Sequence, residues 1–163
     1  MKKLFVLRHA LTAPASESGD RERKLTPQGL DDALQLGLAM KDNHYIPDFI
    51  LCSPVTRTRQ TLAQVLETLG KIPTEFEKTI YEDGYSEILK LARGTDDSCS
   101  ALLIVGHNPS IHQFAANMAG KSPLTGKLAA GYAPGTLSVL DIPRASWADL
   151  QPGENTLVDL LES

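Results

Sequence analysis

The stretch Ala101-Leu102-Leu103-Ile104-Val105-Gly106-His107-Asn108-Pro109 decides how this chain is read. Its five consecutive apolar residues make the strongest strand in the sequence. The run stops at a glycine and an imidazole, after which Asn108 offers a cap and Pro109 a first-turn residue for a helix through Met118. A strand that delivers a histidine directly to a helix start is an α/β signal.

Upstream, the same alternation recurs. Residues 3–7 form a short apolar run bounded by charge, a strand buried on two faces. A polar stretch of about thirteen residues from Thr12 to Lys24, with Pro14, Ser16, Ser18 and Gly19, reads as a loop long enough to be a lid or binding segment. Thr26-Pro27 then supplies a cap hydroxyl and a first-turn proline. Leu30, Ala33, Leu34, Gly37 and Leu38 follow at helical spacing, with Asp31, Asp32, Gln35 and Lys41 facing away. Phe49–Cys52 is the next strand, and Ser53-Pro54 repeats the cap-plus-proline start for a helix that turns Leu62, Val65, Leu66 and Leu69 inward and stops at Gly70. A weaker strand near 74–76 precedes a helix through Ile88, Leu89 and Ala92.

Beyond residue 119 the character changes, and Thr136–Ile142 and Asn155–Leu160 read as an antiparallel pair at a sheet edge. The expectation is a single domain over residues 1–163: a three-layer α/β/α sandwich with a mostly parallel central sheet and an antiparallel edge. A chain of this length buries roughly 70% of its extended surface, enough for one core and not for two.

Composition excludes several classes. The formal charge is −4, from 16 basic and 20 acidic side chains without a long basic run, so a nucleic-acid-tracking surface is not indicated. The apolar stretch after Met1-Lys2-Lys3 covers only residues 4–7, too short for a signal-peptide core or a membrane span, which makes the cytoplasm the default compartment. Cys52 and Cys99 have no CxxC spacing and read as free structural thiols, not as a disulfide or zinc site. With one apolar face per helix taken up by the sheet, nothing here specifies an oligomeric state.

In a parallel sheet the carboxyl ends of the strands gather ligand-binding residues. Three strand exits carry unusual chemistry: Arg8-His9, Ser53-Pro54 with Arg57 in the early turns of the following helix, and His107. Imidazoles among guanidiniums and unpaired backbone N–H groups suit a phosphoryl dianion. Positive charge also keeps an imidazole deprotonated, with a lone pair free to attack phosphorus. Ser53 lacks the G-x-S-x-G surroundings of a hydrolase elbow and reads as a helix cap. His112, five residues after His107, reads as structural or rim, and His44 as solvated. Neither a dinucleotide nor an NTP loop is present.

These residues resemble the histidine phosphatase superfamily, with its phosphoglycerate mutase-like fold, and within it the short SixA-like phosphohistidine phosphatases. The resemblance rests on Leu7-Arg8-His9-Ala10, Arg23-Lys24-Leu25-Thr26-Pro27-Gln28-Gly29, Ser53-Pro54-Val55-Thr56-Arg57-Thr58-Arg59-Gln60-Thr61, Tyr81-Glu82 and Val105-Gly106-His107-Asn108-Pro109, in family order. Ala10 stands where the family usually has glycine. The resemblance implies that His9 is the nucleophile that becomes phosphohistidine, and that Arg8, Arg57 and His107 clamp the phosphoryl oxygens without metal or cofactor. Glu82 matches the leaving-group acid of larger relatives, with Asp83 as the other carboxylate that could face the pocket. Arg21, Arg23, Arg59 and Asn108 are rim candidates. Three functions follow: a phosphatase for phosphohistidine in a signalling or phosphocarrier protein, favoured by the short chain; a phosphatase for small phosphorylated metabolites; and a non-catalytic module that binds phosphorylated partners.

Overall fold

A computed structural model describes residues 1–15 and 17–162; Ser16 of the long loop and the terminal Ser163 lie outside the described residues. Six strands, β1 (Lys2–Arg8), β2 (Phe49–Cys52), β3 (Thr74–Phe76), β4 (Ala101–Gly106), β5 (Leu137–Ile142) and β6 (Thr156–Leu161), form one sheet in the order β3-β2-β4-β1-β5-β6. The first four run parallel, and β5 pairs antiparallel with both β1 and β6. Register places Arg8 opposite Gly106 and Cys52 opposite Val105, so the exits of β2, β4 and β1 stand side by side.

Alternation along the strands sends side chains to two core layers. Phe5, Leu7, Leu103 and Val105 pack under α1 (Pro27–Asp42) and α2 (Thr56–Leu69). Leu4, Val6, Leu102 and Ile104 pack on the opposite face under α3 (Thr79–Glu82), α4 (Tyr85–Arg93), α5 (Ser110–Met118) and α6 (Thr125–Ala130). The expected three layers and antiparallel edge are present. Short 3-10 turns at Asp20–Glu22 and Trp147–Asp149, and the helices α3 and α6, are additional to the sequence reading.

Three local expectations are corrected. In α1 the buried face is Gly29, Ala33, Leu36, Gly37 and Met40, while Leu38 is exposed. Close packing sets that phase, since a Cβ on Gly37 would lie 2.9 Å from the Val65 carbonyl of α2. The Thr26 hydroxyl does cap α1, accepting from Gly29 N at 2.9 Å. Ser53, by contrast, caps nothing: α2 begins at Thr56 with Val55 as its cap, and the Thr58 hydroxyl closes the turn by donating to the Ser53 carbonyl at 2.7 Å. Nor does Asn108 cap α5. The His107 carbonyl takes the Ile111 N–H at 2.8 Å, Pro109 precedes the helix through a cis bond, and the Asn108 amide donates instead to the Tyr132 carbonyl at 3.0 Å.

Candidate active site

His9 leaves β1 with its backbone N–H donating to the Gly106 carbonyl at 3.1 Å, which ties the exits of β1 and β4 together. The next residue, Ala10, is fully buried against Leu25 and Ala33 and donates its N–H to Thr61 Oγ1 of α2 at 3.0 Å. The imidazole is oriented by the bond from Nδ1 to the Ala10 carbonyl at 2.7 Å. A carbonyl can only accept, so Nδ1 carries the proton and Nε2 keeps its lone pair.

Electrostatics hold that state. Burial is the main force pushing His9 down to about 4, and the guanidiniums of Arg8, Arg57 and Arg23 push the same way against the Ala10 hydrogen bond. His107 is pushed down to about 3, first by burial and then by Arg57, His9 and Arg8, with Asp20 opposing. The two rings lie 5.4 Å apart, inclined at 50°. His107 Nε2 is 2.7 Å from the Ser53 hydroxyl, so Ser53 helps set which nitrogen of His107 carries the proton.

Arg57, the second residue of α2, is 6% exposed despite its charge. Its Nη1 donates to the Asp20 carbonyl at 2.8 Å and its Nη2 to Asp20 Oδ2 at 3.1 Å. Arg8 Nη1 donates to the Tyr132 carbonyl at 3.0 Å. Arg8 Nε and His107 Nδ1 are buried without a hydrogen-bond partner among the described residues. Such atoms are costly in a core, and on these residues they suit a polyoxygenated anion. The arrangement has the means for phosphoryl chemistry: a neutral imidazole with a free lone pair, two guanidiniums and a second neutral imidazole.

Arg8, His9, Arg57 and His107 are thus brought together. Glu82 ends α3 with Oε1 accepting from Arg21 Nη2 at 3.1 Å, in an exposed pair, while the neighbouring Tyr81 turns its ring edge-on to His107 at 5.4 Å. Of the rim candidates, Arg21 covers Tyr81 at 4.6 Å. Arg23 binds Asp20, Thr12 and the Ala13 carbonyl, tying down the long loop. Arg59 lies over Phe76 at 3.8 Å, and Asn108 sits beneath the site on Tyr132. His112 has a structural place, stacked on Tyr132 and donating to the Leu128 carbonyl, and His44 is exposed. A cavity of about 780 Å³ between Phe49, Leu51 and Leu91 is lined by none of the four clustered residues. Among the described residues no group of three or more His, Cys, Asp or Glu could hold a metal ion, and no helix is long and apolar enough to cross a membrane.

Sequence reasoning missed Asp20, Tyr81 as a ring beside His107, Ser53 as its partner, and Tyr132. An aromatic inside the turn-rich Gly131-Tyr132-Ala133-Pro134-Gly135 was the available signal for the last. Asp20, in a polar loop between a glycine and an arginine, gave none.

Against known proteins, the profile of the histidine phosphatase superfamily (branch 1) matches residues 4–92. The chain belongs to this superfamily. Among histidine phosphatase folds of known structure, it superposes on the provisionally assigned phosphohistidine phosphatase SixA of Nakamurella multipartitia with a TM-score of 0.87 and 28% identity, covering 99% of this chain and 95% of that one. The similarly assigned SixA of Agrobacterium tumefaciens gives 0.86 and 26% identity, covering 99% and 98%. An uncharacterized protein of Mycobacterium tuberculosis, Rv1276c, is 29% identical over 156 residues, covering 93% of this chain and 96% of that protein. The phosphoglycerate mutase-like architecture and the SixA-like branch are those of this chain.

Proposed function

We propose that this protein is a metal-independent phosphatase that carries the phosphoryl group covalently on His9 Nε2, and that its substrate is phosphohistidine in a signalling or phosphocarrier protein. The observation that carries the reading is the bond from His9 Nδ1 to the Ala10 carbonyl, which leaves Nε2 unprotonated inside a buried, positively charged enclosure.

Arg8, Arg57 and His107 hold the equatorial oxygens, and Nε2 attacks in line. The Nε2–P bond forms as the bond from phosphorus to the leaving group breaks. Water then attacks phosphorus, the P–Nε2 bond pair returns to the ring, and inorganic phosphate departs. The guanidiniums and imidazoles are already gathered before the substrate arrives, and Arg57 exchanges contacts with Asp20 for phosphoryl oxygens.

Two features favour phosphohistidine over an alkyl phosphate. Glu82 is engaged by Arg21, so its service as an acid for an alkoxide requires that ion pair to open, whereas imidazole is the better leaving group and needs less help. Between β3 and β4 the described chain adds only α3 and α4, of four and nine residues, leaving the mouth open to a protein-sized substrate. The similar structures assigned as phosphohistidine phosphatases support the same choice. Glu82 at the mouth favours a second reading, a phosphatase for small phosphomonoesters. Neither reading involves nucleic acid or membrane. A cytoplasmic setting fits the two free, buried thiols, both pushed up to about 12 chiefly by burial.

The test is brief exposure to a radiolabelled phosphoryl donor, followed by detection of acid-labile protein label. Label in the wild type, its loss in His9→Ala, and faster turnover of a phosphohistidine protein than of phosphorylated metabolites are expected. Phosphate binding without label or turnover would instead identify a binding module.

A further inference from the structure

The turn Asp20–Glu22 carries a carboxylate into contact with the proposed clamp. Asp20 Oδ2 accepts from the Tyr81 hydroxyl at 2.6 Å and from Arg57 Nη2 at 3.1 Å, and Oδ1 accepts from Arg23 Nη1 at 3.1 Å. The Tyr81 bond, followed by those to Arg23 and Arg57, holds this carboxyl well below the usual range. Asp20 is therefore a fixed negative charge and not a proton donor.

Its place at the edge of the cluster follows from its contacts and its exposure. His9 and Arg57 are each 6% exposed, whereas the Asp20 side chain is 45% exposed. Asp20 is the exposed partner of buried Arg57 and of Tyr81, whose ring meets His107, so it lies at the solvent edge of the cluster, and a group leaving buried His9 travels toward solvent. When a phosphoryl group engages Arg57, Asp20 retains Arg23 and Tyr81 and its charge remains at the mouth.

We infer that Asp20 selects the leaving group by charge, accepting an N–H from a protonated nitrogen heterocycle such as the ring of phosphohistidine and repelling leaving groups that carry a carboxylate. This rests on the covalent phosphatase reading above. In the selected step the phosphorylated imidazole is protonated on its distal nitrogen, and that N–H donates to Asp20. The His9 Nε2 lone pair forms the new bond to phosphorus. The electron pair of the breaking P–N bond flows into the departing ring and cancels its positive charge, so neutral imidazole leaves with its distal proton and Asp20 transfers none. An ester whose leaving group bears a carboxylate places two negative charges together at the same spot.

The inference predicts opposite responses to one isosteric change. Asp20→Asn removes the charge and keeps a carbonyl to accept from Tyr81, and a cooperative thermal transition with retained tungstate binding would report that the site is intact. Catalytic efficiency is measured on phosphoimidazole, on neutral 4-carbamoylphenyl phosphate and on its acidic isostere 4-carboxyphenyl phosphate. Asp20→Asn is expected to lose about tenfold on phosphoimidazole, to stay within about threefold on the neutral ester, and to gain about fivefold on the acidic one. Tyr81→Phe removes a hydrogen-bond donor but leaves the carboxylate, so it keeps the wild-type order of preference. Equal changes on all three substrates in Asp20→Asn, or a reversed order in Tyr81→Phe, would overturn the inference. Phosphoryl label on wild-type His9, read in parallel, keeps the two readings apart: label with a flat substrate profile removes the role of Asp20 alone, and absence of label removes the covalent mechanism.

Discussion

Mild acid should weaken this fold through the same two imidazoles that define its candidate site. An unfolded histidine titrates near 6.5, whereas folding pushes His9 to about 4 and His107 to about 3. Both folded values are depressed, so between pH 6.5 and 4 the unfolded chain binds protons that the folded chain refuses, and stability falls as pH falls. From pH 7 to pH 5 each ring contributes a loss of about 2 kcal/mol, or about 4 kcal/mol together. Ordinary carboxylates stay ionised in both states at pH 5, which isolates the histidine effect. Trp147, the single tryptophan and fully buried, reports urea unfolding by fluorescence at each pH. His9→Gln should halve the loss to about 2 kcal/mol. A wild-type loss below about 1 kcal/mol, or an undiminished loss in His9→Gln, would refute the claim that burial keeps these rings neutral.

Other perturbations probe the frame. Gly37→Ala sets a methyl 2.9 Å from the Val65 carbonyl and should destabilise by about 1–3 kcal/mol in the same urea assay, with no change if α1 and α2 can separate freely. Tyr132→Phe deletes a buried hydroxyl bound to the Val6 carbonyl at 2.6 Å and to Ser138 Oγ at 2.7 Å; about 1–3 kcal/mol of stability should be lost, measured as a lower urea midpoint. Ser53→Ala leaves the buried His107 Nε2 without its partner and should both lower kcat/KM by about tenfold and cost about 1–3 kcal/mol of stability, as read by steady-state assay and urea unfolding.

Much of the parallel sheet was legible because its strands are nearly uninterrupted apolar runs, and Ala101–Gly106 and Phe49–Cys52 end where chemistry-bearing residues begin. Arg8, His9, Arg57 and His107 could be named in advance because each occupies or closely follows a strand exit, where side chains converge. The phase of α1 was hidden because it depends on how near α2 approaches at Gly37, a tertiary fact that periodicity alone does not carry. Ser53 and Asn108 were misread for a related reason. Local capping rules suit both residue types, yet their side chains are drawn to His107 and to the Tyr132 carbonyl. Asp20 was invisible because a carboxylate in a polar loop becomes meaningful only when Arg57, 37 positions later in sequence, folds back against it.

The loop before β5 has a bearing on how far this chain can be cut or redesigned. Tyr132 O receives Arg8 Nη1, Gly135 N–H reaches the carbonyls of Arg8 and His9, and Arg8 N–H donates to Thr136 O. A fragment ending at residue 119 would keep every residue of the clamp and still let the first strand's exit drift, because its splint has been removed. Peptide grafts between Gly131 and Leu137 should therefore be felt at the His9 imidazole.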